Sequence, residues 1–333
     1  MDDSAVLLVE TRGELLDLTH RGYIAAVDER GEVIWSQGDP NVMVFYRSAS
    51  KPIQALPVIA RGLDRAFGLT EEESTIFGGS HWGEDCHLRA LASIFDKAGL
   101  NEDDMVMLPT LPGGAAAREA YLRADRPPRR FCHNCAGKHA ALMMLQRALT
   151  GSVRDYEKLD SPAQREVMRA VSCLSETDRI ATGIDGCGVP VFAVPLKQIA
   201  TAFKNLAAPE RIADEALARA AASFVPRMAA HPRMVQGAGS LCEALNDDGN
   251  IVAKGGANGL YAFGLKKEKI GFAVKVADGS NAYHPLIVRA ALRRFGALSG
   301  KTAARLDAMR RDDIVNDCGE VVGRRETVFG AQV

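Results

Sequence analysis

Residues 22–35, GYIAAVDERGEVIW, hold two β-rich halves separated by Glu29-Arg30-Gly31, a composition that folds as two antiparallel strands around a turn. Upstream, residues 5–10 (AVLLVE) read as another strand. A second β-rich block lies far along the chain, at residues 250–254, 260–264 and 271–277 (GFAVKVA). Between the two blocks the spacing turns helical. Residues 51–62 (KPIQALPVIARG) open with proline and continue with apolar positions at helical spacing. Residues 84–98 place Leu88, Leu91, Ile94 and Phe95 on one face, and residues 136–149 do the same with Leu142, Leu145 and Leu149. Ser161-Pro162 supplies a helix cap and a first-turn proline. An alanine-rich helix is predicted over 208–224 and another over 285–296. Strands at both ends around a mostly helical middle predict an α+β fold: an antiparallel sheet joined from both termini, with a helical layer packed on it. One domain is expected, its sheet subregion at about 5–48 and 250–333 and its helical subregion at about 49–249.

Composition narrows the function classes. Of 333 residues, 47% are hydrophobic and 25% charged, the balance of a chain that buries a large core. Basic and acidic residues number 41 and 42, so net charge gives no reason to expect nucleic acid or an anionic membrane as partner. The N-terminal MDDSAVLLVETRGELL begins acidic and has a short apolar run, unlike a secretory signal. No apolar stretch approaches the roughly 20 residues that span a bilayer. Seven scattered cysteines, an odd number, suit free thiols in a reducing compartment, and the cytosol is the expected location.

Polar residues and glycines gather in five places. The first, Tyr46-Arg47-Ser48-Ala49-Ser50-Lys51-Pro52, contains Ser-x-x-Lys, a spacing that puts hydroxyl and amine on one face of a helical turn. A serine becomes a nucleophile when a base takes its proton, and a lysine held neutral by burial or a neighbouring cation can do so. Alone the tetrad is common. The last cluster, Lys254-Gly255-Gly256 after a strand, is similar to the Lys-Thr-Gly element of serine β-lactamases and penicillin-binding proteins, which also carry Ser-x-x-Lys. Ser80, in Gly78-Gly79-Ser80-His81-Trp82, supplies a candidate second hydroxyl; a plain helix cap is the competing reading. The remaining two clusters, Cys132 to His139 and Gly183 to Gly188, suggest a metal. Cys132-x-x-Cys135 is half of a common zinc pattern, and Cys187 beside Asp185 adds further donors. Neither a second cysteine pair nor a histidine pair at standard spacing completes it. Cys86, Cys173, Cys242 and Cys318 read as ordinary buried or half-buried thiols.

Taken in order, these segments resemble the rhizobial-type (thermolabile, third structural class) L-asparaginases. Arg47 to Pro52, Gly79-Ser80-His81, His133 to His139, Asp185 to Gly188, Lys254 to Ala257 and Val276 to Ser280 carry the resemblance. It implies a fold like that of serine β-lactamases and glutaminases, a homodimer, and hydrolysis of L-asparagine to L-aspartate and ammonia. By position, Ser48 would be the nucleophile and Lys51 its base, with Ser80 and Lys254 as a second pair. Cys135, Lys138 and Cys187 fall where the family binds zinc. Arg47, His81, Asp185, Gly255 and Gly256 are expected to face the substrate, with Arg47 a candidate for its carboxylate. The oxyanion is expected to be held by the Ser48 amide and one from the Gly255–Gly256 edge. Two departures bear on specificity: Asn258 stands where the family has glutamate, and Asn281 near a basic position.

The same scaffold could serve a glutaminase, a β-lactamase or a D-amino-acid peptidase. The last two act outside the cytoplasmic membrane, which the leaderless start disfavours. Glutamine differs from asparagine by one methylene, worth only about 1–3 kcal/mol of discrimination. A zinc-dependent binding module without hydrolysis is the reading from another class.

Overall fold

The computed structural model describes residues 3–329. Its strands are β1 (Ala5–Arg12), β2 (Leu15–Val27), β3 (Val33–Gln37), β4 (Met43–Phe45), β5 (Ala181–Ile184), β6 (Pro190–Pro195), β7 (Ile251–Gly255), β8 (Leu260–Leu265), β9 (Ile270–Val276), β10 (Asp313–Val315) and β11 (Val321–Thr327). Eight of them form one antiparallel sheet in the order β10-β11-β1-β2-β9-β8-β7, with β3 added to β2. Strand β2 is long enough to pair twice along one side. Its first part takes β1, and residues Ile24 to Val27 take β3. The expected hairpin at 22–35 and the joining of both chain ends in one sheet are both present. Strands β10 and β11, which carry little alternation, were not expected; β11 pairs with β1 and β10 with β11, which closes the C-terminal end onto the sheet. A small separate sheet, β4-β6-β5, joins a strand from just before the helical stretch of sequence to two strands inside it.

Helices cover both faces of the large sheet. Leu196–Ala207 lies across β2, β8 and β9 on one face. On the other, His284–Arg294 contributes Ile287 and Ala290 to a small apolar cluster with Leu7, Ile24, Val274 and Val276. The close fit on the first face depends on two glycines. Gly264 and Gly271 are cross-strand partners. A Cβ on Gly271 would stand 1.9 Å from the Ala200 carbonyl oxygen, and one on Gly264 would stand 2.2 Å from that of Phe203. Any larger side chain pushes helix from sheet.

The helix Lys51–Ala60 runs through the middle of the helical layer. Lys51 to Ile59 are all buried, as expected of a helix that is apolar all round. It packs against Ala136–Thr150, Pro162–Ser175 and Glu215–Ala230. The last of these corrects the 208–224 reading. Pro209 opens a short 3-10 turn, and the α-helix starts only where the Asp214 side chain accepts from the Leu217 amide at 3.0 Å. Alanine content alone does not mark where a helix begins; a capping carboxylate does. No helix among the described residues is long and apolar enough to cross a membrane.

Replacing Gly271 by alanine is expected to lower stability by about 2–4 kcal/mol, because backbone rather than a movable side chain meets the added carbon. Gly249→Ala, where nothing lies within 4 Å, should cost less than about 1 kcal/mol. Urea unfolding of the two variants beside wild type checks the difference.

Candidate active site

The turn carrying Ser48 is a 3-10 helix, Arg47–Ser50, that runs directly into Lys51–Ala60. Its position is set on both sides. The Tyr46 amide donates to the Phe192 carbonyl on β6 at 2.8 Å, and the buried Tyr46 hydroxyl pairs with Ser175 at 2.8 Å. Arg47 takes the left-handed conformation, φ 48°, which turns the chain sharply before the serine. Ser50 then donates to the Arg47 carbonyl and accepts from Gln54, both at 2.9 Å.

Ser80 follows the 3-10 turn Ile76–Gly78, and its amide donates to the Val235 carbonyl at 2.8 Å. Its hydroxyl is the meeting point of the site. Lys51 Nζ and Lys254 Nζ each lie 2.9 Å from Ser80 Oγ. Each lysine has one further acceptor, Asn134 O at 3.1 Å for Lys51 and Gly255 O at 2.8 Å for Lys254. Both lysines are about 1% exposed, which rules out solvation of two ammonium groups by water. Burial lowers the pKa of Lys51, and that of Lys254 falls to about 8, through burial first and then the nearby Lys51 charge. Lys51 also sits at the N-terminal end of its helix, where the helix dipole disfavours a cation.

Ser48, Ser80 and Lys254 line one cavity of about 610 Å³, together with Gly255, Gly256 and Ala257. The Ser48 hydroxyl makes no hydrogen bond to Lys51 among the described residues. It faces the cavity beside the lysine-linked Ser80.

Strand β7 forms the edge of the sheet at this wall, and its outward backbone groups are consumed one after another. The Asp248 carbonyl takes the Ile251 amide at 3.0 Å. Asn246 takes both the amide and the carbonyl of Ala253, at 3.1 and 2.8 Å. Cys242 Sγ takes the Gly255 amide at 3.2 Å, while the Gly256 amide turns inward to the Leu260 carbonyl at 2.8 Å. The next outward amide, that of Ala257, has no acceptor among the described residues. The free donor of this edge is therefore one residue beyond the Gly255–Gly256 pair expected from sequence. The Ser48 amide lies in a first helical turn, where N–H groups have no acceptor within the helix.

Cys135, Lys138 and Cys187 form a separate buried cluster, all at most 5% exposed. Lys138 Nζ donates to Cys187 Sγ at 3.1 Å. The Cys187 thiol donates to Cys135, holding the Cys135 thiol well below the usual range with help from Lys51 and Lys138, while Cys187 itself is pushed up. Lys138 is raised: burial opposes its charge, but the two sulfurs and Asp185 more than offset that. Cys132 does not join them; its sulfur neighbours Tyr121, so Cys132-x-x-Cys135 does not act as a pair. Cys318, expected to be at least half-buried, is exposed.

The residues expected to face substrate divide. Gly255 and Gly256 line the cavity. Arg47 and Asp185 instead bind each other, with Arg47 Nη2 and Nε 2.8 and 3.0 Å from Asp185 Oδ1. His81 is fully buried; its Nδ1 accepts from the Gly83 amide at 3.2 Å and its Nε2 has no hydrogen-bond partner among the described residues. Sequence reasoning missed Asn134, whose carbonyl holds Lys51, and Ala257, because backbone groups leave no signature in residue type.

Two cavity hydroxyls, one of them held by two buried lysines, with unpaired amides nearby, are equipment for nucleophilic attack on an acyl carbon. The chain belongs to the L-asparaginase II family, a family of amidohydrolases whose model matches residues 8–327. No curated protein matches the sequence. Among solved structures, Mglu in its native form in 4.3 M NaCl is 17% identical, with 84% of this chain and 62% of Mglu covered and a TM-score of 0.47. The chain thus spans less than two thirds of Mglu's length. A β-lactamase from Mycobacterium bovis is 14% identical, with 81% and 93% covered and a TM-score of 0.40.

Lys254 titrates at about 8 in the fold against 10.5 in an open chain, so between those values the unfolded chain holds the extra proton. Stability should therefore rise with pH across that window. Lys254→Met removes the penalty, worth up to roughly 3 kcal/mol below pH 8 before the lost hydrogen bonds are subtracted. The expected result is a variant at least as stable as wild type at pH 7, its advantage shrinking towards pH 10.5, read from melting curves taken across that range.

Proposed function

We propose that the chain hydrolyses the side-chain amide of L-asparagine to L-aspartate and ammonia through a serine ester. The observation that carries this reading is the sharing of Ser80 Oγ by two buried lysines at 2.9 Å, on the wall of a cavity that Ser48 also lines. Two ammonium groups so placed repel each other, and one lysine is driven neutral. Neutral Lys51 takes the Ser48 proton as Ser48 Oγ bonds to the amide carbon. The amides of Ser48 and Ala257 hold the oxyanion, each such donor giving about 3–4 kcal/mol. The C–N bond breaks as the Ser80–Lys254 pair delivers a proton to the leaving nitrogen, and ammonia departs. Water then cleaves the aspartyl ester and Ser48 regains its proton. The Ser48–Lys51 contact forms on substrate binding, as catalytic hydrogen bonds commonly tighten in the complex.

A second reading is favoured by one contact: Ser80, not Ser48, touches both lysines in the free enzyme. In that version Ser80 attacks and Ser48 assists.

Cys135, Lys138 and Cys187 fit a zinc ion by donor chemistry, with two soft sulfurs and an amine converging in a buried pocket. Zinc there would act as a Lewis acid beside the cavity. Lys138 and Cys187 would each give up a proton to ligate it, so affinity should fall as pH drops. The Arg47–Asp185 pair ties this cluster to the nucleophile turn. A homodimer in the cytosol completes the reading.

Ser48→Ala is expected to cut asparagine turnover by at least about 10³-fold, measured as ammonia release. Near wild-type activity in that variant, with loss in Ser80→Ala, would instead assign the attack to Ser80. Glutamine assayed in parallel separates the two amide substrates. For the metal, Cys187→Ala should strip zinc from the protein on elemental analysis; an unchanged zinc content rejects the ligand set.

A further inference from the structure

The cavity that holds Ser48 and Ser80 is lined by two cationic side chains and, among the described residues, by no aspartate or glutamate. One cation, Lys254, is spent on Ser80 and the Gly255 carbonyl. The other is Arg310, just past the helix Gly300–Met309. Its backbone is fixed, the amide donating to the Leu306 carbonyl at 3.1 Å, and its guanidinium stands 5.1 Å from the centre of the Tyr283 ring. Its Nε is buried without an acceptor, and Arg310 joins none of the ion pairs among the described residues. Arg47, the guanidinium first expected to meet a substrate carboxylate, is already neutralised by Asp185. A buried guanidinium N–H with nothing to bind is costly, and a carboxylate accepts two parallel hydrogen bonds from the N–H groups of a guanidinium fork.

We infer that Arg310 is the carboxylate anchor of this cavity, and that the substrates it takes are amides bearing a carboxylate, with an α-ammonium group not needed for recognition. The inference rests on the amidohydrolase reading for its substrate class. The physical reason is the charge inventory of the wall: it supplies an unpaired cation for a carboxylate and no carboxylate for an ammonium. Asn281, on the same wall, does not replace one, because its side-chain oxygen already accepts from the Gly259 amide at 2.9 Å.

Three amides separate the contributions: asparagine, succinamate (asparagine without its ammonium) and 3-aminopropanamide (asparagine without its carboxylate). Ammonia release gives kcat and KM, and calorimetric titration of asparagine and succinamate into protein carrying Ser48→Ala and Ser80→Ala together gives binding without turnover. Wild type should bind succinamate within about tenfold of asparagine and use 3-aminopropanamide at least about 100-fold less efficiently. Arg310→Gln should weaken succinamate binding and raise KM for both carboxylate amides roughly thirtyfold, with kcat within about threefold and 3-aminopropanamide unaffected. Arg310→Lys should recover part of the loss, because it keeps the charge without the fork. An Arg310→Gln protein that melts like wild type and binds succinamate equally well overturns the anchor. Succinamate binding more than about 100-fold weaker than asparagine overturns the claim about the ammonium. Arg310-dependent succinamate binding with no ammonia released from any amide would uphold the anchor while removing the hydrolase reading.

Discussion

A lysine amine in water titrates more than three pH units above neutrality, and the proposed serine–lysine chemistry depends on undoing that for at least one of two lysines. Ser80 is where this happens. Its single oxygen lies 2.9 Å from both Lys51 and Lys254, and both side chains are withdrawn from solvent. Neither burial nor mutual repulsion acts alone. Burial removes the water that would stabilise a cation, and proximity makes the second cation dearer than the first. The surrounding fold serves this arrangement. Lys51 is held by the helix it begins, buried from Lys51 to Ile59, Lys254 by the edge strand β7, and Ser80 by a turn pinned to the Val235 carbonyl.

Much of the scaffold was legible because it is written in periodicity. The alternating runs at 5–10, 22–35 and 271–277 became strands β1, β2, β3 and β9, and apolar faces at 84–98 and 136–149 became helices. The three-stranded sheet and β10–β11 were not legible, since short or exposed strands have little pattern to show. The start of the alanine-rich helix was misplaced for a local reason, the cap at Asp214.

At the site, residue types were informative and backbone roles were not. Ser48, Ser80, Lys51 and Lys254 could be picked from three distant clusters, and the fold brings those clusters to one cavity wall. The pairing of Arg47 with Asp185 could not be seen, because an arginine next to a candidate nucleophile looks the same whether it is free or neutralised. Arg310 lay outside every motif. It stands out only when each charged group lining the cavity is asked for its partner. Cys135 and Cys187, 52 residues apart by number (187 − 135), meet while the nearer Cys132 turns away to Tyr121. Proximity along the chain was a poor guide to which of these thiols meet.

The side-chain seal along β7 reaches beyond catalysis. A sheet that ends in an unpaired strand invites the same strand of another molecule to join it, and cells are crowded with such opportunities. Here the helix Leu241–Asn246 masks that margin from within: Asn246 mimics a neighbouring peptide unit opposite Ala253, and Cys242 occupies the Gly255 amide. The margin becomes bare only at Ala257, inside the cavity that Ser48 and Ser80 line. The same device that leaves a donor for a small molecule thus also keeps copies of the protein from zipping together.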